Sequence, residues 1–181
     1  MIVWVSMIEL SLCNEQCLEK RRQLLGHDHP DTLMSINNLA GLYKSMGQYD
    51  RAQPLYEQCL EKRRQLLGHD HPSTLTSMSN LAVLYWSMGQ YDRAQPLFEQ
   101  CLEMRRQVLG HDHPSTLRSM SNLAGLYDSM GQYEKAQPLY EQCLEKNRQV
   151  LGDDHPSTLA SMNNLRLFRQ EAEHRSRVGK T

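Results

Sequence analysis

The chain has 181 residues, 39% of them apolar, and a mean hydropathy of −0.65, enough for one ordinary core but pointing to a thin, polar structure. Its 20 basic and 21 acidic residues leave a net charge of −1, which excludes a sequence-wide attraction to nucleic acid or to an anionic membrane surface. The apolar start, Met1 to Leu10, is too short to span a bilayer and lacks a basic flank or a clear cleavage site, so neither a signal peptide nor a transmembrane helix is expected.

Self-similarity organises the chain. His-Asp-His-Pro begins at His27, His69 and His111, and Asp-Asp-His-Pro at Asp153, each 42 residues after the last. Residues 1–13 form a divergent apolar segment, and residues 14–26 copy the second half of the second helix of a repeat, with Met1–Leu12 replacing the first half of that helix. Three full units follow at 27–68, 69–110 and 111–152. A partial unit, 153–165, gives way at Arg166-Leu167-Phe168-Arg169 to a divergent charged tail, 166–181. Such ends fit a piece of a longer array.

In the first full unit, Leu33, Ile36, Leu39, Ala40, Tyr43 and Met46 recur at three- and four-residue steps, which predicts an amphipathic helix A. Pro30 suits its first position and His29 the cap before it; Gly47 stops it by accepting a left-handed backbone. After a tight Gly47-Gln48 turn, Ala52, Leu55, Tyr56, Cys59, Leu60, Arg63, Leu66 and Leu67 predict a longer helix B, ended by Gly68. Pro54 lies near enough to its start to be tolerated. Each unit thus reads as an antiparallel hairpin that must stack on neighbours to bury its stripes.

Cys17, Cys59, Cys101 and Cys143 keep the period, which suits a packing role and a reducing cytoplasm. Cys13 and Cys17 lie one helical turn apart, a poor geometry for a disulfide.

The pattern Leu39-Ala40, Tyr43, Gly47, Tyr49, Ala52 and Tyr56 resembles the tetratricopeptide repeat, and the second and third units match it in residue type. The leading Trp of that family is replaced by Ile36, Met78 and Met120, and a longer helix B stretches the unit to 42 residues. With Asn-Leu-Ala-x-Leu-Tyr, Gly-Gln-Tyr and a late Leu-Gly-x-Asp-His-Pro, the repeats resemble those of kinesin light chains and nephrocystin-like proteins across residues 14–165. The resemblance implies an all-α, right-handed α-solenoid of antiparallel helix-turn-helix units. It also implies a non-enzymatic module that binds a protein or peptide in a concave groove lined by helix A.

In helix A the near-identical units differ at Asp31, Met34, Ile36, Asn37, Gly41 and Lys44 and their equivalents, and four of these six positions share one helical stripe: Met34, Asn37, Gly41 and Lys44; then Thr76, Ser79, Val83 and Trp86; then Arg118, Ser121, Gly125 and Asp128. Drift at exposed positions is one reading. Contact of each unit with a different part of a ligand is the other, favoured because Ser45, Gln48, Gln53, Glu57, Gln58 and Gln65 do not change between units. Beside the stripe stand Asn38, Asn80, Asn122 and Asn164, with Asn163 next to the last. Their carboxamides can hold a peptide backbone, as the resemblance implies, or bridge to the adjacent helix. Trp86 offers the largest single anchor, and Lys44 with Arg118 are too few for a repeated carboxylate clamp.

Other chemistry finds little support. The paired imidazoles His27/His29, His69/His71 and His111/His113 have a zinc-compatible spacing, but Asp153 breaks the pattern and a helix-start role accounts for the His-Pro, so no metal and no cofactor is expected. No nucleophile elbow or phosphate loop occurs, and Glu57, Glu61, Arg63 and Arg64 are expected on a solvated face or in ion pairs between repeats. A protein-binding module is therefore the first functional reading. A structural scaffold that self-associates through uncapped ends, with its apolar start packed on the first unit or on another copy, is the second.

Overall fold

The computed structural model describes the backbone of residues 2–178 and the side chains of residues 9–175. The side chains of the expected apolar packing segment up to residue 8 lie outside the described residues. Among those described there are eight helices and no strand: α1 (Ile2–Leu25), α2 (Pro30–Ser45), α3 (Tyr49–Leu67), α4 (Pro72–Ser87), α5 (Tyr91–Leu109), α6 (Pro114–Ser129), α7 (Tyr133–Leu151) and α8 (Pro156–Val178). The chain divides within α5 into two compact units, Met1–Leu97 and Phe98–Thr181.

The helix boundaries follow from the punctuation of the repeat. Pro30, Pro72, Pro114 and Pro156 each open a helix, where the missing N–H costs nothing. The histidine before each proline is a true side-chain cap: the backbone N–H of Asp31, Ser73, Ser115 and Ser157 donates to Nδ1 of His29, His71, His113 and His155 at 3.1–3.2 Å. Asp28 pairs with Lys62 at 2.9 Å, and Asp112 pairs with Lys146, so the His-Asp-His-Pro loops are used for capping and for docking onto helix B. Gly47 takes φ +71° at the turn into α3.

In the first unit α2 and α3 pack as a hairpin, flanked by α1 and α4. Leu33, Ile36, Leu39, Ala40 and Tyr43 of α2 meet Ala52, Tyr56, Cys59 and Leu60 of α3, all nearly or wholly buried. In the second unit α6 and α7 form the hairpin and α8 covers α7. Ala52 and Ala136 are fully buried, as the close approach of two helices requires. The expected stripe fails at one place: Leu66 and Leu67 are 50% and 41% exposed, because α3 has 19 residues against 16 in α2 and its last turn overhangs. Val108 and Val150 repeat this exposure.

Successive repeats are tied at two points. At one, helix B sends a guanidinium into the next helix A: Arg21 Nη1 donates to the Asp31 carbonyl and Ser35 Oγ, Arg63 Nη1 to the Ser73 carbonyl and Ser77 Oγ, and Arg105 Nη1 to the Ser115 carbonyl and Ser119 Oγ. Arg63 and Arg105 are buried, which corrects the expectation of a solvated or ion-paired position: their partners are neutral oxygens. At the other, a helix A tyrosine donates to a helix B glutamate, with Tyr85 to Glu57 at 2.7 Å and Tyr127 to Glu99 at 2.6 Å, and Tyr43 to Glu15 in the same way. Glu57 therefore serves a joint between repeats. Arg51 and Arg93 lie over the Tyr43 and Tyr85 rings at 4.0 and 3.9 Å.

The divergent tail continues α8 as far as Val178. Phe168 is buried against Tyr140, with ring centroids 5.5 Å apart, and the Arg175 guanidinium lies 3.7 Å from the centre of the Tyr133 ring. Arg169 donates to Glu141 at 3.0 Å, 28 residues away, in the register that the tyrosines use elsewhere.

Candidate functional site

The stripe of differing residues lies on the first helix of each hairpin, and each unit presents its part separately. In the first unit Met34 and Asn38 are exposed, and Asn37, Gly41, Lys44, Thr76, Asn80, Val83 and Trp86 are half-buried. Ser79 is only 6% exposed and belongs to the packing between helices more than to the surface. In the second unit Arg118 and Asn163 are exposed, Ser121, Asn122, Asp128 and Asn164 are half-buried, and Gly125 is buried.

Two of the asparagines bridge from one helix A to another. Asn80 Nδ2 donates to Asn37 Oδ1 at 2.9 Å, joining α4 to α2, and Asn164 Nδ2 donates to Ser121 Oγ at 3.2 Å, joining α8 to α6. Each carboxamide is thereby oriented, and each stripe residue it meets is an acceptor on the neighbouring helix. Asn163 instead accepts from Arg166 at 2.8 Å.

One stripe position varies for a reason internal to the hairpin. A Cβ added at Gly41 would stand 3.3 Å from the Tyr56 hydroxyl, so the glycine makes room for that phenol. Where the sequence has Val83 in place of glycine, the matching helix B residue is Phe98, which has no hydroxyl; where it has Gly125, the match is Tyr140. Burial pushes the Tyr56 and Tyr140 phenols up to about 12, keeping them neutral. Asp128 is also set by internal contacts: burial first, then Glu171, raise its pKa, while Arg175 opposes them, which places it against the C-terminal half of α8.

In the second unit α6, α7 and α8 line a cavity of about 320 Å³ that is open to solvent on one side. Arg118 and Ser121 on α6 and Asn164 on α8, all singled out in the sequence, line its walls, and Cys143 and Asn147 of α7 form its floor. Cys143 is sealed into this floor, its thiol donating to the Leu117 carbonyl at 3.4 Å and lying 3.5 Å from Ser161 Oγ. Burial pushes the Cys59, Cys101 and Cys143 thiols up, which suits packing and not nucleophilic chemistry. Cys17, expected in the same role, is exposed on α1. The Arg63, Arg105 and Asn147 position escaped the stripe comparison, because it lies on helix B. Its signal was the single change from arginine to asparagine across the repeats.

Among the described residues no three His, Cys, Asp or Glu side chains gather as a metal site, and no helix is long and apolar enough to cross a membrane.

The family model described as tetratricopeptide repeat matches residues 13–65, 35–107, 79–149 and 129–165. Among solved structures, a kinesin light chain-like protein from Podosopora anserina, built of nearly identical TPR-like repeats, is 33% identical. The match covers 96% of this chain and 82% of that one, with a TM-score of 0.76. BtubC (BKLC) from P. vanneervenii is 23% identical over 92% of this chain and 66% of its own, with a TM-score of 0.78. A Rap protein complexed with the Competence and Sporulation Factor is 16% identical over 90% of this chain and 49% of its own, with a TM-score of 0.65. The last two share the fold. No curated protein sequence matches the chain.

Proposed function

Because the chain belongs to the tetratricopeptide repeat family, an all-α solenoid of interaction repeats, we propose that each of its two units binds extended polypeptide of a partner on its own helix A face. As a protein-interaction repeat scaffold it needs no chemistry of its own; it needs an oriented surface. The observation that carries this reading is the cavity between α6 and α8, because two side chains picked out by their variation, Arg118 and Ser121, and one from the constant asparagine row, Asn164, line it. The bridging asparagines support the reading too, since a carboxamide held by its neighbour presents its remaining donor and acceptor sites in a fixed direction. Free cysteines throughout suit work in a reducing cytoplasm.

The test uses peptides selected from a random displayed library against the full chain. Replacing Lys44, Trp86 and Arg118 together by alanine should weaken their binding at least tenfold while leaving helical circular dichroism unchanged. Undiminished affinity in that triple variant would remove the helix A face from the assignment.

A further inference from the structure

The tie between repeats is chemically uniform until its last occurrence. Arg21, Arg63 and Arg105 each place Nη1 on a carbonyl, at 3.2, 3.0 and 3.2 Å, and on a serine Oγ, at 2.6, 2.9 and 2.6 Å. Forty-two residues after Arg105 the sequence has Asn147, facing Ser157 and Ser161 where the earlier joints have Ser115 and Ser119. The Asn147 amide reaches Ser161 Oγ at 2.9 Å, but it is too short to fill the path of an arginine side chain. The cavity in the second unit lies there, bounded by Asn147, Ser157 and Ser161. At its rim stands Ala160, the smallest residue at a position that is Met34, Thr76 or Arg118 in the other repeats.

We propose that this cavity binds a guanidinium group, the side chain of an arginine in a partner polypeptide, in the place that Arg63 and Arg105 fill from within the chain. The acceptors correspond to those that hold the internal guanidinium groups: Ser161 Oγ, which takes one hydrogen bond from Asn147 and has a second lone pair, and the Ser157 carbonyl, which accepts from Ser161 Oγ as the Ser115 carbonyl does from Ser119 beside Arg105. About 320 Å³ is roughly ten times a water molecule's share of liquid volume, room for an arginine stem as well as its head. Arg118 on the rim carries a like charge, yet the preceding joint holds Arg105 within electrostatic reach of Arg118 and keeps both. A planar, weakly hydrated guanidinium tolerates such company better than an ammonium does, and its fork matches two acceptors at once. That the guanidinium comes from a peptide rests on the binding function proposed above; the selectivity of the cavity does not.

The probe is ethylguanidinium, titrated into the full, isotope-labelled chain and followed by NMR, with ethylammonium as the control of equal charge. Saturable shifts are expected at the side-chain amides of Asn147 and Asn164, with ethylammonium giving shifts at least fivefold smaller. Asn147→Arg restores the internal guanidinium and should abolish the saturable response. Ala160→Met, which installs the residue found at Met34, closes the mouth from α8 and should do the same should the first variant not fold. Shifts that rise linearly without saturating, equal responses to the two cations, or full binding in a folded variant would overturn the assignment. Selected peptides that bind while ethylguanidinium does not would sink this inference alone; the reverse would leave the cavity standing and remove the peptide-binding reading.

Discussion

The second unit contains two joints between repeats that correspond residue by residue but are held by different chemistry. Where α5 meets α6, Arg105 is 1% exposed and donates to Ser119 Oγ, while Tyr127 closes the other end on Glu99. Where α7 meets α8, the buried donor is the neutral Asn147 and the outer donor is Arg169, on Glu141. The acceptors stay in register and the donors change. A repeat joint is thus specified by where oxygens are presented, and the positive charge can sit inside or outside it. The two placements carry different costs. Burial lowers the Arg105 pKa, a sign that its charge is held at the expense of hydration, whereas Arg169 keeps its water and gains little from its partner.

The largest effect should come from the inside charge. Arg105→Ala removes a buried side chain of large volume together with its hydrogen bonds, and should cost about 3 kcal/mol in urea denaturation. Arg105→Met keeps most of the volume and removes the desolvated charge, so it should stay within about 1 kcal/mol of the parent. Equal losses in the two variants would show that hydrogen bonds, not volume, hold the first joint, and the contrast with Asn147 would then have to be explained by direct bonding strength.

The outer donors differ in how they respond to alkali. Burial, and then the hydrogen bond to Glu99, push the Tyr127 phenol from 10.0 up to about 12. A raised pKa in the folded chain means that the native state holds its proton longer than the unfolded one. The contribution is fully present below pH 10 and is lost as pH rises toward 12. Tyr127→Phe should cost about 1 kcal/mol at neutral pH and make the decline between pH 10 and 12 shallower. An unchanged alkaline slope would mean that the other buried phenols, Tyr56 and Tyr140 among them, dominate that window.

The helices of both joints were legible in the sequence, because each boundary is marked by local chemistry: Pro114 and Pro156 open helices, Gly110 and Gly152 end them, and three- and four-residue spacing sets the buried face. The joints themselves were not. Arg63 and Arg105 carry a charge that argues for solvent, and only the third dimension shows a serine hydroxyl and a carbonyl waiting in the next repeat. The asparagines were legible as functional groups, but that Asn80 bridges to the neighbouring helix needed a distance, 2.9 Å to Asn37. Gly41 stood out by its variation, and the Tyr56 hydroxyl beside it gives that variation an internal cause. The abrupt change after Leu165 looked like the end of the pattern, yet Phe168 and Arg169 carry the packing onward in other residue types.

The smallest effect belongs to the outside charge, and it has the opposite pH sign. The Gln137 side chain first, and then Arg169, hold the Glu141 carboxyl below its ordinary range. A depressed pKa contributes stability that is present above the ordinary glutamate range and is lost as pH falls through the lower folded value. Both partners are largely in water, so screening reduces the contribution, and Glu141→Gln should change stability by less than about 0.5 kcal/mol at neutral pH. Arg169→Tyr would convert this joint to the chemistry of its neighbour. It should leave the acid limb flatter and add a decline above pH 10, if register alone decides where a phenol can dock. A tyrosine there that titrates like one in water would mean that Glu99 and Tyr127 depend on more than the 28-residue spacing they share with Glu141 and position 169.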